Sequence, residues 1–423
     1  MNRIYVKFTI MCGLAAPLAT QPAQAQRVAL TLRQCIELAT AHNPSIMAAD
    51  KSVERARTLQ GTAWDIDKTD LTLSQDPTSG GSPDNALSLT QSIDFPTLYI
   101  ARHRQLKSET KAESARREVV LTQLMADVSS AYMQLAYEYE LMRVLCEQDS
   151  VLTHYHNIVT GHRDAGDVSR VAALRAEMMV KENRLERDAA FARIEAQRAR
   201  LASLTGADGP VAIADTCLRK IDFTPQPYSF TLSPRGQYAG SQVDIAEKAL
   251  GVARNGFAPS LSLSLRNQLV FTGWDPYKQH RTRFDGGNFM GFEVGIGLPL
   301  FFGATKAKVR AARQERDIVR LEMQQQQAQA DGDYALALSR YNAAKAKVDF
   351  YEGEGIDKYK ESVRIAGLEY ANGEIGYYDY MDMLKGLVEM QMKRADAINE
   401  YNQSVIDIMR LTGFPDGMGG TPR

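Results

Sequence analysis

The 423-residue chain lacks a surplus of charge of either sign: 50 basic residues stand against 51 acidic ones. No basic field is left over to attract nucleic acid. Cysteine is scarce, with four in the whole chain and no CxxC spacing, which argues against a disulfide framework or a zinc site. After residue 25 there is no apolar run of 18 or more residues, so no membrane-spanning helix is encoded. Membrane residence would require the other permitted solution, a closed β-barrel. Chemistry-bearing motifs are missing too. There is no HExxH, no GxSxG, no phosphate loop and no recognisable triad spacing, so an enzymatic reading finds no support.

What is present begins with an export signal. Arg3 and Lys7 supply a positive start, residues 8–19 form a short apolar core, and Ala23-Gln24-Ala25 fits a signal-peptidase site. Residues 1–25 are therefore expected to be removed, leaving Gln26 first. Cys12 leaves with them, and it lacks the small aliphatic residues that lipoprotein processing wants before it. Cys35, Cys146 and Cys217 remain, an odd number. Export without a disulfide scaffold points to a bacterial periplasm or outer membrane.

The mature chain says much of what it says twice. Leu-Thr-Gly occurs at 204–206 and at 411–413, an offset of 207, and at that offset Gly166 in AGDVS lies over Gly373 in NGEIG. Farther upstream, ADKSVERAR at 49–57 resembles AEKALGVAR at 246–254. One duplicated unit of roughly 200 residues accounts for these echoes. The expected divisions are a first repeat at 26–209, a linker at 210–236, a second repeat at 237–417 and a tail at 418–423.

Each half reads as helix, strand, loop, strand, very long helix, tight turn, helix. The first helix opens on a capping box at Thr31 and Gln34 and runs to about Trp64, with a break at Asn43-Pro44. Residues 97–162 contain no proline. There Leu121, Leu124, Val128, Tyr132, Leu135, Tyr139, Met142 and Cys146 keep a 3–4 spacing close to the heptad. At 1.5 Å per residue such a helix is about 100 Å long. A counterpart is expected over residues 304–370. The apolar seam is narrow and much of its flank is polar, including the glutamine run 324–327. Composition fits equally a coiled coil with a solvated outer face and a stave of a hollow helical barrel.

The strand segments alternate strictly. In SLSLSLRNQL (260–269), Leu261, Leu263, Leu265 and Leu269 alternate with serines and Arg266. In MGFEVGIGLPL (290–300), Met290, Phe292, Val294, Ile296 and Leu298 alternate with glycines and Glu293. ALSLTQSIDF (86–95) and a weaker segment at 69–75 follow suit. A period of two puts every apolar side chain on one face. Any one such strand fits a soluble sandwich; several of them in an exported chain match the outer-membrane pattern. Four strands cannot close a barrel, and open edges are not tolerated in lipid, so the chain must oligomerise. Two copies would give eight strands and three would give twelve.

This order of elements, together with LRQCIELATAHNPSI, GLPLFFG and YANGEIGYYDYMDML, resembles the TolC-like outer membrane factor family over essentially the whole mature chain. The compact length is nearer the branch associated with heavy-metal efflux (CzcC- and CusC-like) than the longer drug-efflux members. The resemblance implies an α+β membrane protein: a homotrimer with a twelve-stranded outer-membrane barrel continuing into a periplasmic helical barrel. It also implies a periplasmic adaptor and an inner-membrane pump, of RND type, as partners, no cofactor, and a passive role as exit duct.

The resemblance places adaptor-docking tips at Gly166 and Gly373, with Arg163 and Tyr370 three residues before each glycine. It also places acids lining a narrow entrance at Asp379 and Asp382, on one helix face. Ala172 stands where Asp379 stands in the second half, so any charged ring comes from the second repeat alone. Ordinary turn glycines and solvated acids near a helix start would write the same letters. Met381, Met383, Met390 and Met392 carry sulfur suited to Cu(I), but pairs two apart point around a helix, which favours packing. His154, His156 and His162 are read as solvated. The alternative from another class is a periplasmic coiled-coil adaptor or scaffold, which would contain one hairpin rather than two whole repeats. A small diffusion porin would not need such helices.

Overall fold

The computed structural model describes residues 29–77, 83–164, 169–269 and 288–415. The expected signal peptide, Gly166, the long loop before residue 288 and the tail lie outside the described residues. The elements run α1 (Leu32–His42), α2 (Pro44–Leu59), β1 (Asp70–Pro77), β2 (Pro83–Asp94), α3 (Pro96–Asp164) and α4 (Arg170–Thr205). The second half follows as α5 (Pro234–Arg254), β3 (Ser260–Leu269), β4 (Asn288–Gly297), α6 (Gly303–Phe350), α7 (Ile356–Ala371) and α8 (Tyr377–Thr412).

Local chemistry starts and stops these helices where the sequence suggests. Thr31 and Gln34 form the reciprocal capping box, with Gln34 N donating to Thr31 Oγ1 and Thr31 N donating to Gln34 Oε1 at 2.9 Å. The break between α1 and α2 falls at Asn43, whose side-chain oxygen caps α2 while its Nδ2 donates to Leu204 O at 2.9 Å. That bond ties the break to the end of α4. The twin Leu-Thr-Gly endings close α4 and α8, both 36 residues long. Gly206 and Gly413 have φ of +70° and +97°, a region closed to most L-residues. In each ending the threonine hydroxyl donates to the carbonyl four residues back, Thr205 to Leu201 and Thr412 to Ile408.

The four strands form one antiparallel sheet in the order β1-β2-β3-β4. Its register aligns Leu71, Leu89, Leu265 and Phe292 across all four strands, and four positions along, Ile93, Leu261 and Ile296. These lie on one face, interrupted by Gln91 and Asn267. The other face carries Thr90, Ser264 and Glu293 in one row and Ser92, Ser262 and Gly295 in the next. Both outer edges, β1 and β4, are unpaired in the sheet. All connections to the helices leave from one rim, where Asp94, Ser260 and Gly297 are aligned.

α3 has 69 residues and is the spine, packed by α2, α4, α5 and α8. Its buried seam follows Leu121, Leu124, Val128, Tyr132 and Leu135 as expected, then departs. Cys146 is exposed and Val144 and Leu145 are buried in its place. A straight helix at 3.6 residues per turn drifts about 20° per heptad, so a seam written at 3.5 rotates off the partner. The counterpart expected over 304–370 is not one unbroken α-helix. A single π-helical turn at Tyr351–Gly355, sequence YEGEG, separates α6 from α7. With that turn included, the second run spans as many residues as α3.

The main core sits at mid-height. Tyr132 and Leu135 of α3 meet Ile398, Val405 and Ile408 of α8, with Ile36, Ile46 and Leu201 around them. The segment joining the halves is part of this core, through buried Val211, Ile213 and Leu218. Leu30 and Ile213 form a short parallel bridge, and the Tyr132 hydroxyl donates to Asp215 at 3.0 Å. Fully buried Asn402 holds the same segment from α8: its Nδ2 donates to Arg219 O at 2.9 Å and its oxygen accepts from Ile221 N at 2.8 Å. Asn402→Ala should cost about 1 kcal/mol or more, because two part-buried hydrogen bonds that hold the joining segment to α8 are lost. Thermal unfolding in detergent should show a lowered midpoint, and an unchanged midpoint would contradict this pin.

Candidate functional site

Two regions are unlike the interior of a globular protein: the exposed apolar face of the sheet and the helix ends farthest from it. On the sheet, Phe292 is 78% and Met290 79% exposed, and Leu71, Leu73, Val294 and Ile296 are also open. The apolar alternation continues past β4 through Leu298 and Leu300 to Phe301, which is 93% exposed. Trp64 and Ile66 are exposed just before β1. Apolar residues so open and so regularly spaced need an apolar medium or a partner surface.

At the far end, α7 turns into α8 through a Schellman-type turn. Glu374 N donates to Glu369 O at 2.8 Å and Gly373 N to Tyr370 O at 3.0 Å. Gly373 has φ +76° and open space where a Cβ would stand, so only the backbone requires glycine there. In the matching turn of the first half, Arg163 is exposed and its guanidinium reaches Asp164 at 2.6 Å. Gly166 lies outside the described residues.

Asp379 and Asp382 are both exposed on the first turns of α8. Asp379 is also a cap: its Oδ2 accepts from Gly376 N at 3.2 Å. The first half solves the same problem from the other side, with the Ser169 hydroxyl accepting from Ala172 N at 3.3 Å. Ser169 overlies Gly376 and Ala172 overlies Asp379 at the 207-residue offset, so the acid replaces a capping side chain that glycine lacks. Met381 is buried against Tyr155, Val159 and Ala176, which makes it a packing residue.

Tyr155, Tyr377 and Tyr380, which help hold this end together, were not singled out in the sequence. Tyr155 of α3 stacks on Tyr377 of α8, with ring centroids 5.1 Å apart and planes 17° apart. Tyr370 of α7 meets Tyr377 edge-on at 5.3 Å and stacks on Tyr380 at 5.5 Å. Tyr370, read from the sequence as a docking residue, is thus partly engaged within its own chain. The run YYDY was a visible signal; its partner Tyr155, more than 200 residues away, was not. Behind the rings, Ala172, Ala173 and Ala176 bring α4 close to α3. Burial pushes the Tyr155 hydroxyl up to about 12, with a contribution from Tyr378, and burial does the same to Tyr377.

The sign of the pH dependence follows. A tyrosine in a loosened tip titrates near its usual value of about 10, while the packed tip holds its protons to higher pH. Packing should keep its full stability below about pH 10 and lose it as pH rises towards about 12. In a tyrosinate absorbance titration, Tyr155→Phe and Tyr377→Phe should each remove signal from the late-titrating fraction. Loss from the early fraction instead would contradict the packing.

Comparison with known proteins bears on the fold that carries these two regions. Residues 237–414 match the family model for outer membrane efflux proteins. No curated protein matches the chain by sequence. Among solved structures, the CmeC outer membrane channel of Campylobacter jejuni aligns at TM-score 0.70 and 19% identity, covering 92% of this chain and 86% of CmeC. CusC, described in terms of folding and transmembrane channel formation, aligns at TM-score 0.74 and 16% identity, covering 91% and 92%. The open state of the Neisseria gonorrhoeae MtrE outer membrane channel aligns at TM-score 0.73 and 20% identity, covering 90% and 88%. CusC and MtrE fit about equally well, so backbone likeness does not single out a heavy-metal branch. The adaptor or scaffold alternative is not favoured. The second half of this chain thus resembles the outer membrane efflux protein family, and the chain as a whole has the fold of the CmeC, CusC and MtrE channels.

Proposed function

We propose that this protein is the outer-membrane exit duct of a tripartite efflux system, and that three copies complete it. The observation that carries the reading is the sheet: four antiparallel strands, an exposed apolar face and two unpaired edges, attached by one rim to helices about 100 Å long. Exposed backbone edges are not tolerated in lipid, so each β1 edge pairs with a β4 edge of the next copy. Three four-stranded sheets then make a twelve-stranded barrel whose apolar face meets lipid and whose serine, threonine and glycine face lines the bore. The helices continue the bore across the periplasm. The repeats at 26–209 and 237–417 supply two hairpins per copy, joined by the 210–236 segment that enters the mid-height core.

In this reading the tips carrying Arg163, Gly166, Tyr370 and Gly373 meet a periplasmic adaptor, and an inner-membrane pump of RND type supplies the energy. The duct itself performs no chemistry. Asp379 and Asp382 from three copies gather six carboxylates at the entrance, which draws cations to it.

Because Asp379 also caps α8, asparagine is the informative substitution: Asp379→Asn keeps an acceptor for Gly376 N while removing the charge. In planar bilayers, Asp379→Asn with Asp382→Asn should raise ion conductance or weaken cation block while the trimer still assembles. If conductance and block both stay at the wild-type level, the acids are caps and surface charge, and the entrance assignment falls.

A further inference from the structure

We propose that the first turns of α3 and α6 form a basic collar that binds anionic phospholipid headgroups at the helical rim of the sheet. The inference rests on the membrane seat proposed above and adds a lipid class to it. Between Pro96 and Ser108, and again between Gly303 and Gln314, there is no aspartate or glutamate in a chain that is otherwise balanced in charge. In their place stand Arg102, Arg104 and Lys107 on α3, then Lys306, Lys308, Arg310 and Arg313 on α6. Helix starts carry positive partial charge and ordinarily take acids. Both helices share an acid-free first turn with α1, α2, α4 and α5, but here cations follow it with no acid among them, leaving their charge to be met from elsewhere.

Arg102 is satisfied internally, pairing with Asp94 at 3.3 Å and lying 5.9 Å from the Tyr99 ring centroid. Arg104, Lys107, Lys306, Lys308, Arg310 and Arg313 are exposed and have no ion-pair partner among the described residues. Their position supplies the occupant. The apolar stripe of β4 runs through Leu298, Leu300 and Phe301 straight into α6, and exposed Trp64 stacks on Tyr99 of α3 at 5.6 Å. Aromatic residues mark the boundary of the hydrocarbon layer, and the cations follow about 5–15 Å farther along the helix. With side chains able to snorkel, that is the depth of the headgroups.

Trp64 is a built-in reporter, since the chain has two tryptophans and Trp274→Phe leaves it alone. The mature chain carrying that change is reconstituted into phosphatidylcholine vesicles. These contain a minor, equal fraction of brominated phosphatidylcholine or brominated phosphatidylglycerol, and quenching of Trp64 is compared. The expected result is an excess of quenching by the phosphatidylglycerol probe corresponding to about fivefold enrichment near the collar. The excess should vanish in high salt and when the six exposed cations are replaced by glutamine. Equal quenching by the two probes in the otherwise unaltered chain overturns the collar while leaving the membrane seat intact. An excess that survives the glutamine replacements also overturns it. No quenching by either probe takes away the membrane seat itself, and the collar with it.

Discussion

The open edges of the four-stranded sheet are the constraint on which the rest of the structure depends. Each edge strand presents a row of backbone N–H and C=O groups, and in hydrocarbon each such group left bare costs several kcal/mol. The sheet's apolar face asks for hydrocarbon, yet its edges forbid it to a single copy. In the proposed assembly, three copies resolve the conflict by pairing β1 with β4 around a ring. Once the ring closes, each chain's helices are brought side by side at one rim, and a tunnel is the natural continuation of the barrel. In that assembly neighbouring copies would also cover much of α6 beyond the basic collar: from Gln314 to the first buried position, Ala330, one side meets α5, as where Arg320 pairs with Glu247, and the rest is largely open.

Stability along the helices is unevenly distributed. The mid-height core is dense, binding α1, α3, α4, α8 and the joining segment together. Near the tips the contacts thin to one aromatic cluster and a few alanines. Between them lies the π-helical turn, where Glu352 pairs with Arg394 of α8 at 3.1 Å and Lys220 of the joining segment approaches it at 3.9 Å. A Cβ at Gly386 would overlap the Tyr359 hydroxyl, so the tyrosine of α7 lies directly over this glycine of α8. A dense middle with a lean end suits the proposed duct, whose wall would stay sealed while its tip meets an adaptor.

Most of the fold was legible in the sequence because its signals are periodic and local. Strict alternation in SLSLSLRNQL and MGFEVGIG specified strands and their faces. A proline-free stretch with a 3–4 seam specified the spine. Leu-Thr-Gly, written twice, marked two helix ends that need a positive φ. What escaped depends on distance or on small energetic balances. The stack of Tyr155 on Tyr377 joins residues from different halves, and no local pattern announces it. The drift of the α3 seam from Cys146 to Val144 and Leu145 accumulates over several turns. The π turn in YEGEG is visible only as a pair of glycines. The capping role of Asp379 required knowing that the residue three before it, Gly376, starts a helix. At the site, the acids, the glycines and Tyr370 were named from the sequence, but Tyr155, Tyr377 and Tyr380 were not.

The most direct test of the central claim is the behaviour of the full-length protein expressed in a Gram-negative host. Its membranes would be fractionated and run on gels with and without boiling. Three copies closing one barrel predict a signal-cleaved species in the outer membrane that migrates as a trimer until boiled. A soluble periplasmic monomer would contradict the account, since the apolar face of the sheet would then have to be covered by protein rather than lipid.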